Sequence, residues 1–141
     1  MRVYLDAMIW IYALEGRSAF SPDAQNFLRT LKAGRHTILA SHFLLAETLV
    51  IPIRESDTFS IAAYKRAFLA ADAVSLVPFD AIAAMRFAAL RASSRVKSPD
   101  AIHLALASSA GADAFITTDD RLSKLAVPGI GLIGDLNTPL P

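Results

Sequence analysis

The chain has 141 residues, 54% of them apolar and 19% charged, with a formal net charge of +1. That length describes one domain able to bury its own core, and the composition excludes a disordered chain and any strong global field steering it to nucleic acid or anionic membrane. Cysteine is absent, which excludes disulfides, zinc–thiolate sites and thiol catalysis. The longest apolar run, residues 7–14, is too short for a bilayer, where about 20 residues are needed, and no basic leader precedes it, so a soluble cytoplasmic protein is expected.

Residues 2–5 are short, apolar and partly β-branched, and read as a buried strand ending at Asp6. Residues 8–15 are bulky and apolar and stop at Gly16, a helix-ending signal. Ser21-Pro22-Asp23 opens a second helix with Phe27, Leu28 and Leu31 on one face and Gly34 behind it. Residues 36–40 form a second strand, after which Ser41 caps a helix carrying Leu44, Leu45, Glu47, Thr48 and Leu49 that Pro52 helps to end. Asp57 starts a helix with Ile61, Tyr64, Phe68 and Leu69 at helical spacing. Residues 74–77 form a third strand ended by Pro78, and Asp80 opens a long helix through Ile82, Met85, Ala89 and Leu90. Ser98-Pro99-Asp100 opens the next, with Ser98 as cap, Pro99 in the first turn and Asp100 where the helix dipole favours an acid. Residues 114–117 are a fourth strand, 121–125 a short helix, 130–133 a fifth strand, and the tail 139–141 reads as frayed.

Strands alternate with helices from end to end, without an internal repeat or linker. The pattern predicts one α/β domain over residues 1–141, with helices on both faces of a mostly parallel sheet of about five strands. Ligands in such sheets lie beyond the carboxyl ends of the strands. Asp6 follows the first strand and Asp119 the fourth.

Most of the 13 acids have local explanations as helix-start or loop residues. Four invite a second reading. Asp6 serves as an N-cap or as a ligand at a strand end. Glu47 lies within an apolar helix stretch, where its carboxylate must reach solvent or be paired, since burying it alone is costly. Asp100 and Asp119 each sit at a helix start. Ionised acids crowd together only if a cation neutralises them, and Mg2+ or Mn2+ takes oxygen ligands while keeping several waters. Such an ion suits phosphodiester hydrolysis.

Four stretches carry a resemblance to a known family: Val3-Tyr4-Leu5-Asp6 running into residues 9–16, Leu45-Ala46-Glu47-Thr48-Leu49-Val50, Ser98-Pro99-Asp100-Ala101-Ile102-His103-Leu104-Ala105, and Ile116-Thr117-Thr118-Asp119. In this order and spacing they resemble PIN-domain proteins, specifically the VapC-type toxin ribonucleases of toxin–antitoxin pairs. The resemblance spans essentially the whole chain. It implies an α/β/α sandwich and RNA cleavage dependent on Mg2+, with Mn2+ as substitute. By this resemblance Asp6, Asp100 and Asp119 hold the metal, Glu47 binds it or orients the attacking water, and Thr117 helps to order the site. It further implies a homodimer and a small cognate VapB-like antitoxin that blocks the acidic site. Asp120 directly follows Asp119 and is the alternative if the register is off by one. Where the family has a small polar residue two positions after the first Asp, this chain has Met8, whose thioether donates no hydrogen bond and is a poor magnesium ligand.

His103 lies one helical turn after Asp100, either as a proton shuttle or RNA contact or as a packed, hydrogen-bonded histidine. Arg86, Arg91, Arg95 and Lys97 gather upstream of Asp100, either as a phosphate-binding patch or as a solvated helix face. Trp10, Tyr12 and Tyr64 have rings that stack on bases or pack in a core. Glu15 is placed at the site entrance.

Rival classes fit poorly. A haloacid-dehalogenase-type phosphatase needs a second Asp at position 8, and a response-regulator receiver needs an acidic pair after the first strand and an acceptor Asp directly after the third. The remaining alternative is a PIN fold with weak catalysis that binds RNA or protein.

Overall fold

The first apolar run becomes the central strand. In the computed structural model, which describes residues 1–140, β1 (Arg2–Leu5) lies between β2 (Thr37–Ala40) and β4 (Ala114–Ile116), with β3 (Val74–Leu76) and β5 (Leu132–Gly134) at the edges. The order is β3-β2-β1-β4-β5, and every pairing is parallel. Val3, Tyr4 and Leu5 are fully buried, the continuous burial expected of a parallel strand covered on both faces.

Among the described residues seven helices cover the sheet: α1 (Ala7–Glu15), α2 (Ser21–Ala33), α3 (His42–Arg54), α4 (Thr58–Leu69), α5 (Ala81–Ser93), α6 (Ser98–Ser109) and α7 (Asp120–Ser123). Helix α1 packs on α2, α3 and α4, and α3 packs on α4, whereas α5 packs on α6. The result is the expected α/β/α sandwich. Among the described residues no helix is long and apolar enough to cross a membrane.

The predicted caps form at Ser41, Asp57 and Asp80, whose side chains accept Leu44, Ser60 and Ala83 N–H groups at 3.0 Å each. Gly16 ends α1 at φ 69°, a left-handed conformation cheap only for glycine. Ser98 is not the cap of α6. The Ala101 N–H bonds the Lys97 carbonyl at 2.9 Å, so the helix begins one residue earlier, with Ser98 and Pro99 already inside it and no side-chain cap. Pro52 does not end α3 either. The helix runs on to Arg54, and the chain turns at Ser56, where φ is 54°.

The last strand begins two residues later than expected. A Cβ on Gly131 would come 2.5 Å from the Asp113 carbonyl, so glycine is required at this approach, and ladder pairing starts with Leu132 opposite Ala114. The tail is not frayed as far as residue 140: Leu136 and Leu140 pack against the core. Pro141 lies outside the described residues. Trp10 is buried against Phe68 at a ring separation of 4.5 Å, and Tyr64 is fully buried, donating to Glu15 at 2.9 Å. Neither ring is available for stacking on a base. Tyr12 is half-buried against Phe20.

Candidate active site

The strand order places a topological switch at β1, whose neighbours are reached from opposite directions along the chain. Beyond the carboxyl ends of β1 and β4 lies an open cavity of about 570 Å³, lined by Asp6, Ala7, Met8, Glu47, Asp100, Thr118, Asp119 and Asp120. Five carboxylates from β1–α1, α3, α6 and β4–α7 thus share one space.

Asp6 is both cap and cavity wall. Its main chain continues the ladder to the Ile116 carbonyl at 2.9 Å. One carboxylate oxygen accepts the Ala7 N–H at 2.7 Å, and the other accepts the Thr117 hydroxyl at 2.8 Å. Thr117 Oγ1 accepts the Asp119 N–H at 3.1 Å in turn. A buried hydroxyl therefore ties the two strand ends together.

Asp119 caps α7 and pairs with Arg121. Its Oδ1 accepts the Arg121 main-chain N–H at 2.9 Å and the guanidinium Nε at 3.1 Å, while Oδ2 accepts Nη2 at 2.7 Å. The Arg121 guanidinium holds this carboxyl down at about 2. Asp120, the first residue of α7, also borders the cavity.

Asp100 is the third residue of α6 and is half-buried. Burial pushes its carboxyl above the usual range, and the neighbouring Asp6 and Asp119 push it further.

Glu47 does not simply point outwards. Its Oε1 meets His103 Nε2, and His103 is 1% exposed. The other imidazole nitrogen, Nδ1, meets the Tyr4 hydroxyl at 2.8 Å. Of the two readings of His103, the packed and hydrogen-bonded one is realised, with Phe43 and Tyr4 against its ring.

A second cavity of about 340 Å³ is lined by Ser94, Arg95, Val96, Lys97, Asp100, Arg121, Leu122 and Leu125. It shares Asp100 with the acid cavity, so Arg95 and Lys97 stand beside the site. Arg91 does not line either cavity: its guanidinium holds the Val96 carbonyl, fastening the turn before α6. Glu15 lies apart from the acids, against Tyr64 and near Ile11 and Arg17. Tyr4 and Arg121 are the residues that sequence reasoning passed over. A hydroxyl in an otherwise apolar buried strand, and an arginine two positions after a helix-capping Asp, were the available signals.

The donor set is all oxygen, which matches a hard cation. Among the described residues no three of these side chains stand close enough to form a ready-made ion cage. Two of the acids are instead occupied by His103 and Arg121.

A family model for the PIN domain matches residues 3–128. The chain belongs to the PIN-domain family. Its fold is shared with VapBC2 of Rickettsia felis, solved with a DNA fragment from its promoter, at a TM-score of 0.70 and 20% identity, covering 96% of this chain and 98% of that one. Mycobacterium tuberculosis VapC20, described as a sarcin–ricin-loop-cleaving toxin, superposes at 0.68 with 15% identity, covering 88% and 96%. A toxin–antitoxin complex from Klebsiella pneumoniae gives 0.65 with 23% identity, covering 91% and 94%. No curated protein gives a significant match. At these identities the superpositions establish a shared fold.

Proposed function

We propose that this PIN-domain chain is the toxin of a toxin–antitoxin pair and a Mg2+- or Mn2+-dependent endoribonuclease. One observation carries the reading: Asp6, Glu47, Asp100 and Asp119, from four separate elements, line one cavity at the carboxyl ends of β1 and β4. The family membership and the toxins that share the fold support it.

Asp6, Asp100 and Asp119 are the residues that would hold the ion, with waters completing its shell. A bound Mg2+ or Mn2+ supplies charge neutralisation at the phosphate and activation of water. Glu47, with one oxygen committed to His103, orients the water that adds to phosphorus while a ribose oxygen leaves. Arg95 and Lys97, in the adjoining cavity, neutralise flanking phosphates of the RNA and offset the repulsion of the acids. Arg121 holds the Asp119 carboxylate in place until substrate and ion engage it.

The same reading includes a homodimer and a small antitoxin in the cytoplasm. Exposed apolar side chains at the end of α3 and start of α4 (Val50, Ile51, Ile53, Phe59) and on α5 (Ile82, Met85) support such interfaces.

Met8 favours a second reading, a module that binds RNA or protein with little catalysis. Met8 is 40% exposed and lines the acid cavity, where a hydrogen-bonding group would serve an ion better. The test is cleavage of RNA by the purified chain with Mg2+ or Mn2+, beside Asp6→Asn and Asp100→Asn. Metal-dependent cleavage lost in both variants supports the nuclease. RNA or protein binding without cleavage at saturating metal supports the module.

A further inference from the structure

Beneath Glu47 runs a chain of buried polar groups that the reaction does not touch. Ser41 is 2% exposed, Tyr4 is fully buried and His103 is 1% exposed. They come from three different places in the fold: the N-cap of α3, the centre of β1 and the second turn of α6. The contacts run in one line. Ser41 Oγ lies 3.4 Å from the Tyr4 hydroxyl, the Tyr4 hydroxyl 2.8 Å from His103 Nδ1, and His103 Nε2 meets Glu47 Oε1.

The donors and acceptors can be counted. A carboxylate only accepts, so Nε2 must carry the proton that faces Glu47. With Nε2 protonated, a neutral imidazole offers Nδ1 as acceptor, and the Tyr4 hydroxyl fills it by donating. A phenol keeps its proton near neutral pH, so the Tyr4 hydroxyl is a donor. Its oxygen is then free to accept from Ser41, whose own oxygen accepts the Leu44 N–H at 3.0 Å. All the side-chain donors point the same way, towards the cavity.

We propose that Ser41, Tyr4 and His103 form a one-way hydrogen-bond relay that fixes the position of Glu47. His103 is a positioning residue, and the order of the relay is set by Tyr4. The ring is further clamped by Phe43 at 5.2 Å and by Tyr4 at 5.8 Å, so it has little freedom to rotate. One carboxylate oxygen is held, and the second is left for the cavity that Glu47 lines. The inference rests on the nuclease reading for its consequence in rate, but the proton positions in the relay stand apart from it.

Two measurements test it. The first is the imidazole ¹⁵N spectrum of the wild-type chain at about pH 8, above the ordinary imidazole range near 6.5. The chain has three histidines, and His103→Gln assigns the signal. The expected result is the Nε2–H form with Nδ1 accepting, with the Nδ1 signal moved by Tyr4→Phe. The Nδ1–H form, or a doubly protonated ring, overturns the relay. The second is steady-state cleavage of RNA with Mn2+. His103→Leu lowers kcat about 10- to 100-fold with KM unchanged. His103→Gln, which retains a donor near the place of Nε2, recovers most of that loss, and Tyr4→Phe falls between. Titration with Mn2+ alone gives the same affinity in all four proteins. A folded His103→Leu with wild-type kcat overturns the positioning role. A wild-type chain that cuts no RNA with either metal defeats the nuclease reading instead, and the ¹⁵N spectrum still decides the relay.

Discussion

On one wall of the cavity Glu47 is bound to an imidazole that is 1% exposed; on the other Asp119 is bound to a guanidinium side chain that is 74% exposed. Both are carboxylates beside nitrogen donors at the mouth of one site. The first sits on three buried layers of side chains, where low dielectric strengthens hydrogen bonds and packing forbids rearrangement. The second rests on one flexible arginine in water, where the pair is screened by salt and can exchange partners at little cost. The contrast assigns different work to similar groups. A buried partner suits an acid that must stay in one place, and an exposed partner suits an acid that must release it when an ion or phosphate arrives.

The largest expected effect is on both walls at once. Asp6→Asn and Asp100→Asn each leave the fold intact and lower cleavage at least about 100-fold, measured on RNA with Mg2+. Activity surviving both changes would sink the site assignment. Next comes the cavity between the walls. Met8→Asn places a hydrogen-bonding group beside Asp6 and is expected to tighten Mn2+ binding about 10-fold in a direct titration; an unchanged affinity would show that position 8 has no part in holding the ion.

A smaller effect separates the walls by pH and salt. The depressed Asp119 carboxyl contributes stability that is complete above its ordinary value of about 4 and lost as pH falls through about 2. Arg121→Ala should bring its midpoint, followed by carboxyl NMR, back towards the ordinary range. Raising salt should do the same in part, whereas the His103 ring signals should not move. Equal salt sensitivity in the two pairs would erase the distinction between the walls. The smallest effect is at the rim: Lys97→Ala should weaken RNA binding uniformly across sequences and reduce the slope of log affinity against log salt by about 1. A loss confined to one RNA sequence would point to base reading at that position instead.

Much of this fold was legible in the chain because the signals were local. The strand at Arg2–Leu5 shows as a short apolar run, and Ser41, Asp57 and Asp80 show as caps because a capping side chain bonds its own near neighbours. The four acids were legible for a similar reason, each lying at or near a recognisable start or end of an element. Where local rules failed, a distant contact had intervened. Leu132 begins β5 because Gly131 must pass the Asp113 carbonyl, and Leu140 is held because the tail returns to the core. Pro52 by local rules helps to end a helix, yet α3 tolerates it two residues before its end.

The sequence by itself determined the class of fold, the all-oxygen chemistry of the acids and their order along the chain, since apolar period, capping residues and side-chain type are properties of short stretches. The tertiary structure alone decided what each acid touches. Tyr4, Glu47 and His103 are separated by tens of residues, and only the packing of β1, α3 and α6 brings a hydroxyl, a carboxylate and an imidazole into line. Asp119 shows the converse, because its partner Arg121 is two residues away, and the difference from Glu47 lies in the exposure of the partner, not of the carboxylate. Burial is a property of the assembled layers, and it is what turns two similar carboxylates into one held rigidly and one left free to move.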